Sequence, residues 1–193
     1  MKQIVKRILY IICALLISPL TLICLMLGVV LNKDAVFTSF SQFLSLLPGK
    51  LSVYLRAGFY RFTLTSCSPD AVVSFLVLLS QRDTDIAKGV YIGPQCNIGK
   101  CSIGKNTLIG SGVHVMSGKG QHSFDDLFVP IKDQSGTFEK INIGQNCWIG
   151  NGAMIMANIG ENSVIGAGSV IINDIPPYSI AAGNPARVIK SRC

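Results

Sequence analysis

A chain of 193 residues, 49% apolar and with a net charge of +7, holds one folded domain and an attached segment. No basic stripe with interleaved aromatic residues follows from the positive balance, which sets nucleic acid aside as a partner. The seven cysteines show no paired spacing, so they read as reduced thiols used as small apolar fillers, not as a disulfide framework or a zinc knuckle.

Residues 1–31 form an apolar anchor. No charged residue occurs from Ile8 to Leu31, and only Ser18, Pro19, Thr21 and Gly28 interrupt the run. About 20 apolar residues cross a bilayer core as a helix. The run exceeds the apolar core of a secretory signal, and no small-x-small cleavage site follows it. Pro19, near the middle, is expected to kink or break a helix. A kinked span and a pair of re-entrant half-helices are both compatible with it. Residues 1–64 carry seven basic residues against the single acid Asp34. Basic flanks favour anionic headgroups and the cytoplasmic side, so membrane lipid is an expected partner.

Residues 32–86 mix apolar and basic residues. Phe37, Phe40, Phe43, Leu44 and Leu47 recur at helical spacing, and Pro48-Gly49 stops that helix. A second apolar stretch, Ala71 to Leu79, follows Pro69. Both read as amphipathic helices in the membrane interface, with Arg56, Tyr60 and Arg61 at headgroup level. A helical cap on the next domain is the alternative.

From residue 87 to 193 the texture is that of a repeat. Ile-Gly pairs recur at Ile92, Ile98, Ile103 and Ile109, then at Ile143, Ile149, Ile159 and Ile165, mostly six residues apart. A strand alternates faces with period two, so a six-residue unit returns the same face each time. The apolar residue points inward and glycine marks a corner. A second small inward residue follows four positions on, at Cys96, Thr107, Val113, Cys147, Ala153, Ser163 and Ser169. Three units close a triangular coil, and coils stack through parallel strand pairing at about 4.8 Å. The predicted fold is mainly β, a parallel β-helix preceded by membrane-associated helices.

Three segments in order carry a resemblance: Ile141-Asn-Ile-Gly-Gln-Asn-Cys-Trp-Ile-Gly-Asn-Gly-Ala153, Val164-Ile-Gly-Ala-Gly-Ser-Val170, and Asp174-Ile-Pro-Pro-Tyr178 with Ala182-Gly-Asn-Pro-Ala-Arg-Val-Ile-Lys190. The chain resembles the hexapeptide-repeat acyltransferases, most of all the sugar and polysaccharide O-acetyltransferases. The resemblance covers residues 90–193. It implies left-handed coils, a homotrimer, acetyl-CoA as cosubstrate and direct transfer. Coenzyme A then lies along the coils between subunits, against positions matching Asn151, Ala167, Arg187 and Lys190, with Trp148 as a flanking candidate. The sequence departs from the family in two places. Ile155 to Gly160 lacks the two extra residues usual at that corner. A frequent Thr-Lys pair after the last coil is replaced by Ile172-Asn173.

Residues 116–140 break the period with a polar loop, and a tail spans 174–193. Insertions from a rigid solenoid commonly carry function. Acylating a hydroxyl requires removal of its proton as it attacks a thioester, and imidazole titrates near neutral pH. Residue chemistry and resemblance both select His122 as general base. Ser123 is not expected to act as a nucleophile. Asp125 or Asp126 is a candidate to orient the imidazole, and His114, outward on its repeat, a candidate to line the acceptor site. Two histidines do not make the three-histidine zinc site of β-helix carbonic anhydrases, so no metal is expected.

The expected activity is O-acetylation of a sugar hydroxyl during surface polysaccharide assembly. The glycan acceptor is membrane-tethered or nucleotide-linked, and the enzyme sits at a bacterial inner membrane with its repeat domain on the cytoplasmic face. An N-acyl or small-molecule acceptor, and a non-catalytic trimeric scaffold, are the alternatives.

Overall fold

The computed structural model describes residues 2–192. From Ser66 onward the chain winds about six coils of a parallel β-helix with three flat faces. The first face stacks Ser66–Cys67, Asp85–Ile86, Cys101–Ile103 and Ile141–Ile143, continued by single bridges at Ile159 and Ile175. The second stacks Val72–Val73, Tyr91–Ile92, Leu108–Ile109, Trp148–Ile149, Val164–Ile165 and Ser179–Gly183. The third stacks Leu78–Leu79, Asn97–Ile98, His114–Val115, Met154–Ile155 and Val170–Ile171. The last strand, Ala186–Ser191, turns back antiparallel on Ser179–Gly183.

Register follows the repeat. Ile92, Ile109, Ile149 and Ile165 are aligned in successive coils of the second face and are buried. The small inward residues are buried too, and several bond across coils. The Thr107 hydroxyl donates to the Gly144 carbonyl at 2.8 Å and the Ser163 hydroxyl to the Pro176 carbonyl at 3.1 Å. The cysteines described are all free and buried. Burial pushes the thiols of Cys67 and Cys101 up to about 12, so both stay protonated fillers.

Three helices precede the coils: α1 (Lys2–Val30), α2 (Lys33–Ser45) and α3 (Lys50–Thr63). Phe37, Phe40, Phe59 and Tyr60 form a ring cluster between α2 and α3. It joins the inward residues Cys67, Val73 and Leu79 in one core, so these helices close the open end of the prism.

Three expectations are corrected. Pro19 neither breaks α1 nor divides it into half-helices; the helix is continuous. Proline supplies no N–H for the Leu15 carbonyl, and the Ser18 hydroxyl takes that place at 2.8 Å. The interfacial helices do not reach residue 86, because coil structure begins at Ser66 and Ala71 to Leu79 lies within the first coil. Arg56 and Tyr60 are not at a surface but fully buried. The Arg56 guanidinium donates to the carbonyls of Val73 (2.9 Å), Leu44 (3.1 Å) and Leu47 (2.8 Å). A cation is thereby placed at the carbonyl-rich end of α2. The Tyr60 hydroxyl pairs with Ser41 at 2.9 Å, and burial pushes it up to about 12.

Candidate active site

The loop between Val115 and Ile141 leaves the edge where the third face meets the first, after three complete coils. It rises as a paired ribbon. Amides of Glu139, Thr137 and Ser123 donate to carbonyls of Ser117 (3.0 Å), Gly120 (2.7 Å) and Ser135 (2.8 Å). Gly136 carries no side chain because the backbone of Gln121 and His122 passes directly over it. Where the ribbon rejoins the coils, Lys140 bridges Asp83 (2.5 Å) and Asp85 (2.6 Å), and Lys100 pairs with Asp83 at 3.1 Å. Hydrogen bonds from Lys140 and Lys100 hold the Asp83 carboxyl below its ordinary range. Partial burial opposes protonation of Lys140, but Asp83 and Asp85 outweigh it and hold its ammonium above its ordinary range. The sequence reading missed this clamp, although charges at the point where a period resumes were its visible signal.

His122 stands on the outgoing arm, exposed. Among the described residues neither Asp125 nor Asp126 bonds its imidazole; both are engaged within the loop. Asp125 accepts from the Ser123 hydroxyl at 3.0 Å. Asp126 accepts from the amides of Phe128 (2.8 Å) and Val129 (3.3 Å), an Asx turn that shapes the tip. Gln134 completes that turn by donating to the carbonyls of Asp126 (2.7 Å) and Val129 (2.8 Å).

The coenzyme-site candidates gather elsewhere. Two edges of the prism need left-handed backbone, and the chain fills them differently. Between first and second faces, coils three to five use Asn106, Asn146 and Asn162, with φ from 53 to 58°, while Gly89 takes that place in coil two and Tyr178 in coil six. Between second and third faces, coils three to five use Gly112, Gly152 and Gly168, with φ of 66, 66 and 67°. A Cβ at any of these three glycines meets nothing within 4 Å. Asparagine tolerates this backbone, so glycine here leaves the edge bare. Asn151 and Ala167 lie on that bare edge in adjacent coils, both exposed. The Asn151 side-chain carbonyl accepts from the Ser111 amide at 3.0 Å, leaving its NH₂ outward. The Ala167 amide makes no hydrogen bond among the described residues.

In the final coil Arg187 is opposite Ala182 and Lys190 opposite Ile180, both cations exposed. Trp148 lies outward on the second face between Leu108 and Val164. His114 lies outward on the third face between Asn97 and Met154. The third face therefore separates the two halves of the candidate site, with His114 between them. The bare edge and its cations border one side and the His122 loop the other. The tight corner at Ile155 to Gly160 belongs to the loop's edge. Asn158 there accepts from the Asn142 amide (2.8 Å), and its own amide donates to Asp174 (2.9 Å). A shallow polar groove of about 370 Å³ runs between this ladder and Lys119 and Glu139 at the loop base.

Chemically, the arrangement offers an exposed imidazole, backbone and side-chain amide donors along an edge bare at its glycines, and two cations near its end. Residues 140–173 match the bacterial transferase hexapeptide family (six repeats). The "Probable acetyltransferase Rv3034c" of Mycobacterium tuberculosis is 41% identical over 73 residues, covering 37% of this chain and 24% of its own. The chain thus spans about a quarter of that relative's length. A maltose O-acetyltransferase from Clostridium difficile 630 superposes with a TM-score of 0.62 at 26% identity, over 83% of this chain and 87% of that one. The N-acyltransferase AntD from Bacillus cereus, in complex with dTDP-4-amino-4,6-dideoxyglucose and coenzyme A, shares the fold at a TM-score of 0.56 and 19% identity, over 64% of this chain and 70% of its own. Repeat, fold and relatives together make this chain similar to the bacterial hexapeptide-repeat transferases, with the family match itself lying in residues 140–173.

Proposed function

We propose that the protein is an acetyl-CoA-dependent O-acetyltransferase whose acceptor is a sugar hydroxyl of a membrane-tethered or nucleotide-linked glycan in surface polysaccharide assembly. The observation that carries this reading is His122: an exposed imidazole with no bonded partner among the described residues, on the insertion that interrupts the prism. Its free nitrogen accepts the acceptor hydroxyl proton as the oxygen attacks, and the imidazolium then returns a proton to the departing sulfur. The acyl thioester supplies an activated carbonyl and a thiolate leaving group. Asn151 and the Ala167 amide suit the amides of a pantetheine arm, and Arg187 and Lys190 suit its phosphates. His114 is placed to border the acceptor.

Because the bare edge and the His122 loop lie on opposite borders of the third face, the site is best completed between copies in a homotrimer, with one subunit's loop beside its neighbour's edge. The second face has an outward apolar ladder of Tyr91, Leu108, Trp148 and Val164 suited to that packing. The exposed aliphatic surface of α1 supports attachment to a membrane. Acetyl-CoA is cytosolic, so that face of a bacterial inner membrane is the place for the coils.

The test is acetyl transfer by membranes containing the full chain. His122→Ala should lower the rate by roughly 10²-fold or more while coenzyme A binding, measured by calorimetry, persists. Full activity of that variant overturns the mechanism.

A further inference from the structure

We propose that α1 lies in the plane of the membrane surface, without crossing the bilayer, and that its outer face is a lipid-embedded platform on which the β-helix stands. The proposal rests on the membrane reading above and settles its topology.

The two faces of α1 are inverted relative to a soluble helix. Its protein side is built from small or weakly polar residues: Cys13, Thr21, Cys24 and Gly28 are buried, with Ile17 among them. Its outer side exposes the large ones: Ile8, Ile12, Leu15, Leu22, Met26 and Val30. Leu15 is 68% exposed and Val30 83%. No protein covers them, and no charge interrupts them. At 100° per residue, Lys6 and Arg7 fall on the same side as Cys13 and Thr21, while Ile4 and Ile8 fall on the other. The first turns thus keep the segregation after leaving the cap. A spanning helix has no use for charges confined to one face at its end, whereas a helix at an interface does. Lys6 and Arg7 at one end, and Lys33 just past the other, complement anionic headgroups.

Packing excludes a span. α1 is bound to the cap along most of its length. At Ala14 it approaches α3 so closely that a Cβ on Gly58 falls 2.8 Å from the Ala14 Cα. At Gly28 it meets Lys33, the first residue of α2. On its other side α3 is fixed to the first coil through Arg56 and Val73. A bilayer core of about 30 Å drawn around an upright α1 takes in α3, packed against it at Ala14, with its exposed Lys50 and Arg61, and reaches the start of the first coil that α3 holds. Irregular backbone and open edges are not tolerated against lipid. Laid flat, α1 sinks its outer face about 5–10 Å into the headgroup and acyl boundary and keeps every one of these groups in water. Leu51 and Phe62, exposed on the same face of α3 as Gly58, flank α1 on that side and widen the platform.

The full chain, with one protease site ahead of Met1 and another after Cys193, is tested in sealed vesicles from expressing cells with the β-helix outward. Cleavage of both sites from outside is expected. A protected N-terminal site beside a cut C-terminal site overturns the proposal in favour of a span, while leaving membrane attachment intact. The triple change Leu16→Asp, Leu22→Asp and Met26→Asp alters only exposed positions. With circular dichroism unchanged, it should lower the vesicle-bound fraction at least tenfold. Undiminished binding by that variant overturns the proposal. If the unaltered protein stays in the supernatant when vesicles of anionic phospholipid are sedimented, the membrane reading itself fails.

Discussion

A buried guanidinium with no carboxylate beside it is the feature of Arg56 that matters. Three backbone carbonyls, from α2, from the turn after it and from the first coil, share its donors. Arg56→Met fills similar volume but strands those carbonyls, each at about 1–3 kcal/mol when buried. Chemical unfolding should show a loss on the order of 3 kcal/mol or more, with proteolysis beginning at the cap. A loss under about 1 kcal/mol means water replaces the donors and the cap is looser than described. The corner glycines are residue-scale features of another kind. Gly152 and Gly168 adopt the backbone that asparagine holds at the other edge, so Gly152→Asn should fold normally. Its side chain covers the bare edge, so under the proposed donor site the acetyl-CoA KM should rise several-fold with kcat for bound donor little changed. An unaltered KM removes this edge from the donor site.

At the scale of elements, the hold on the His122 loop depends on how its ends are tied. Asp83, Lys100 and Lys140 clamp the returning strand to earlier coils. The Asp83 carboxyl is depressed below its ordinary range. Its contribution is therefore present above the unfolded value near 3.9 and lost as pH falls through the folded value. Hydrogen-exchange protection at residues 118–139 should fall as pH drops below the unfolded carboxyl value while the coils stay protected, and Lys140→Met should reproduce the effect at neutral pH. Equal protection of loop and coils under both conditions refutes the clamp. The elements also explain what the sequence disclosed. Coils carrying Ile-Gly pairs were legible because apolar residue and corner recur together. The first coil and the start of the second keep the same inward rhythm at Cys67, Val73, Leu79 and Ile86, but Ser68, Ser74, Ser80 and Ala87 stand where glycine marks later corners. Without the glycine, Ala71 to Leu79 looks like a helix. Arg56 and Tyr60 misled for the converse reason. Polarity suggests surface, yet carbonyls left over at a helix end and a buried serine supply partners no one-dimensional pattern displays. His122 and the bare edge were each visible as motifs; their separation across the third face was not, because it depends on which corner the insertion leaves.

For the whole molecule, platform, prism and loop are stacked. With α1 flat on the membrane and α2 and α3 closing the prism end, three coils at about 4.8 Å and a helix layer of about 10 Å lift the loop roughly 25 Å from the lipid. In the proposed homotrimer, a heterologous ring, each loop addresses a neighbour's bare edge, and three platforms share one membrane plane. Mixing the two kinds of variant subunit, assayed at acetyl-CoA far below the edge variant's KM, tests this composite site. His122→Ala destroys the base and keeps the edge; Gly152→Asn with Gly168→Asn fills the edge and keeps the base. If each site draws on one chain, mixed trimers hold no intact site and stay inactive. If each draws its base and its edge from adjacent chains, random mixing of equal amounts restores roughly a quarter of the sites. Co-expression and co-purification of the two variants, with trimer composition read by native mass spectrometry in detergent, should show that recovery. Its absence from verified mixed trimers places the whole site within one chain, and requires the loop to fold back across His114 and the third face.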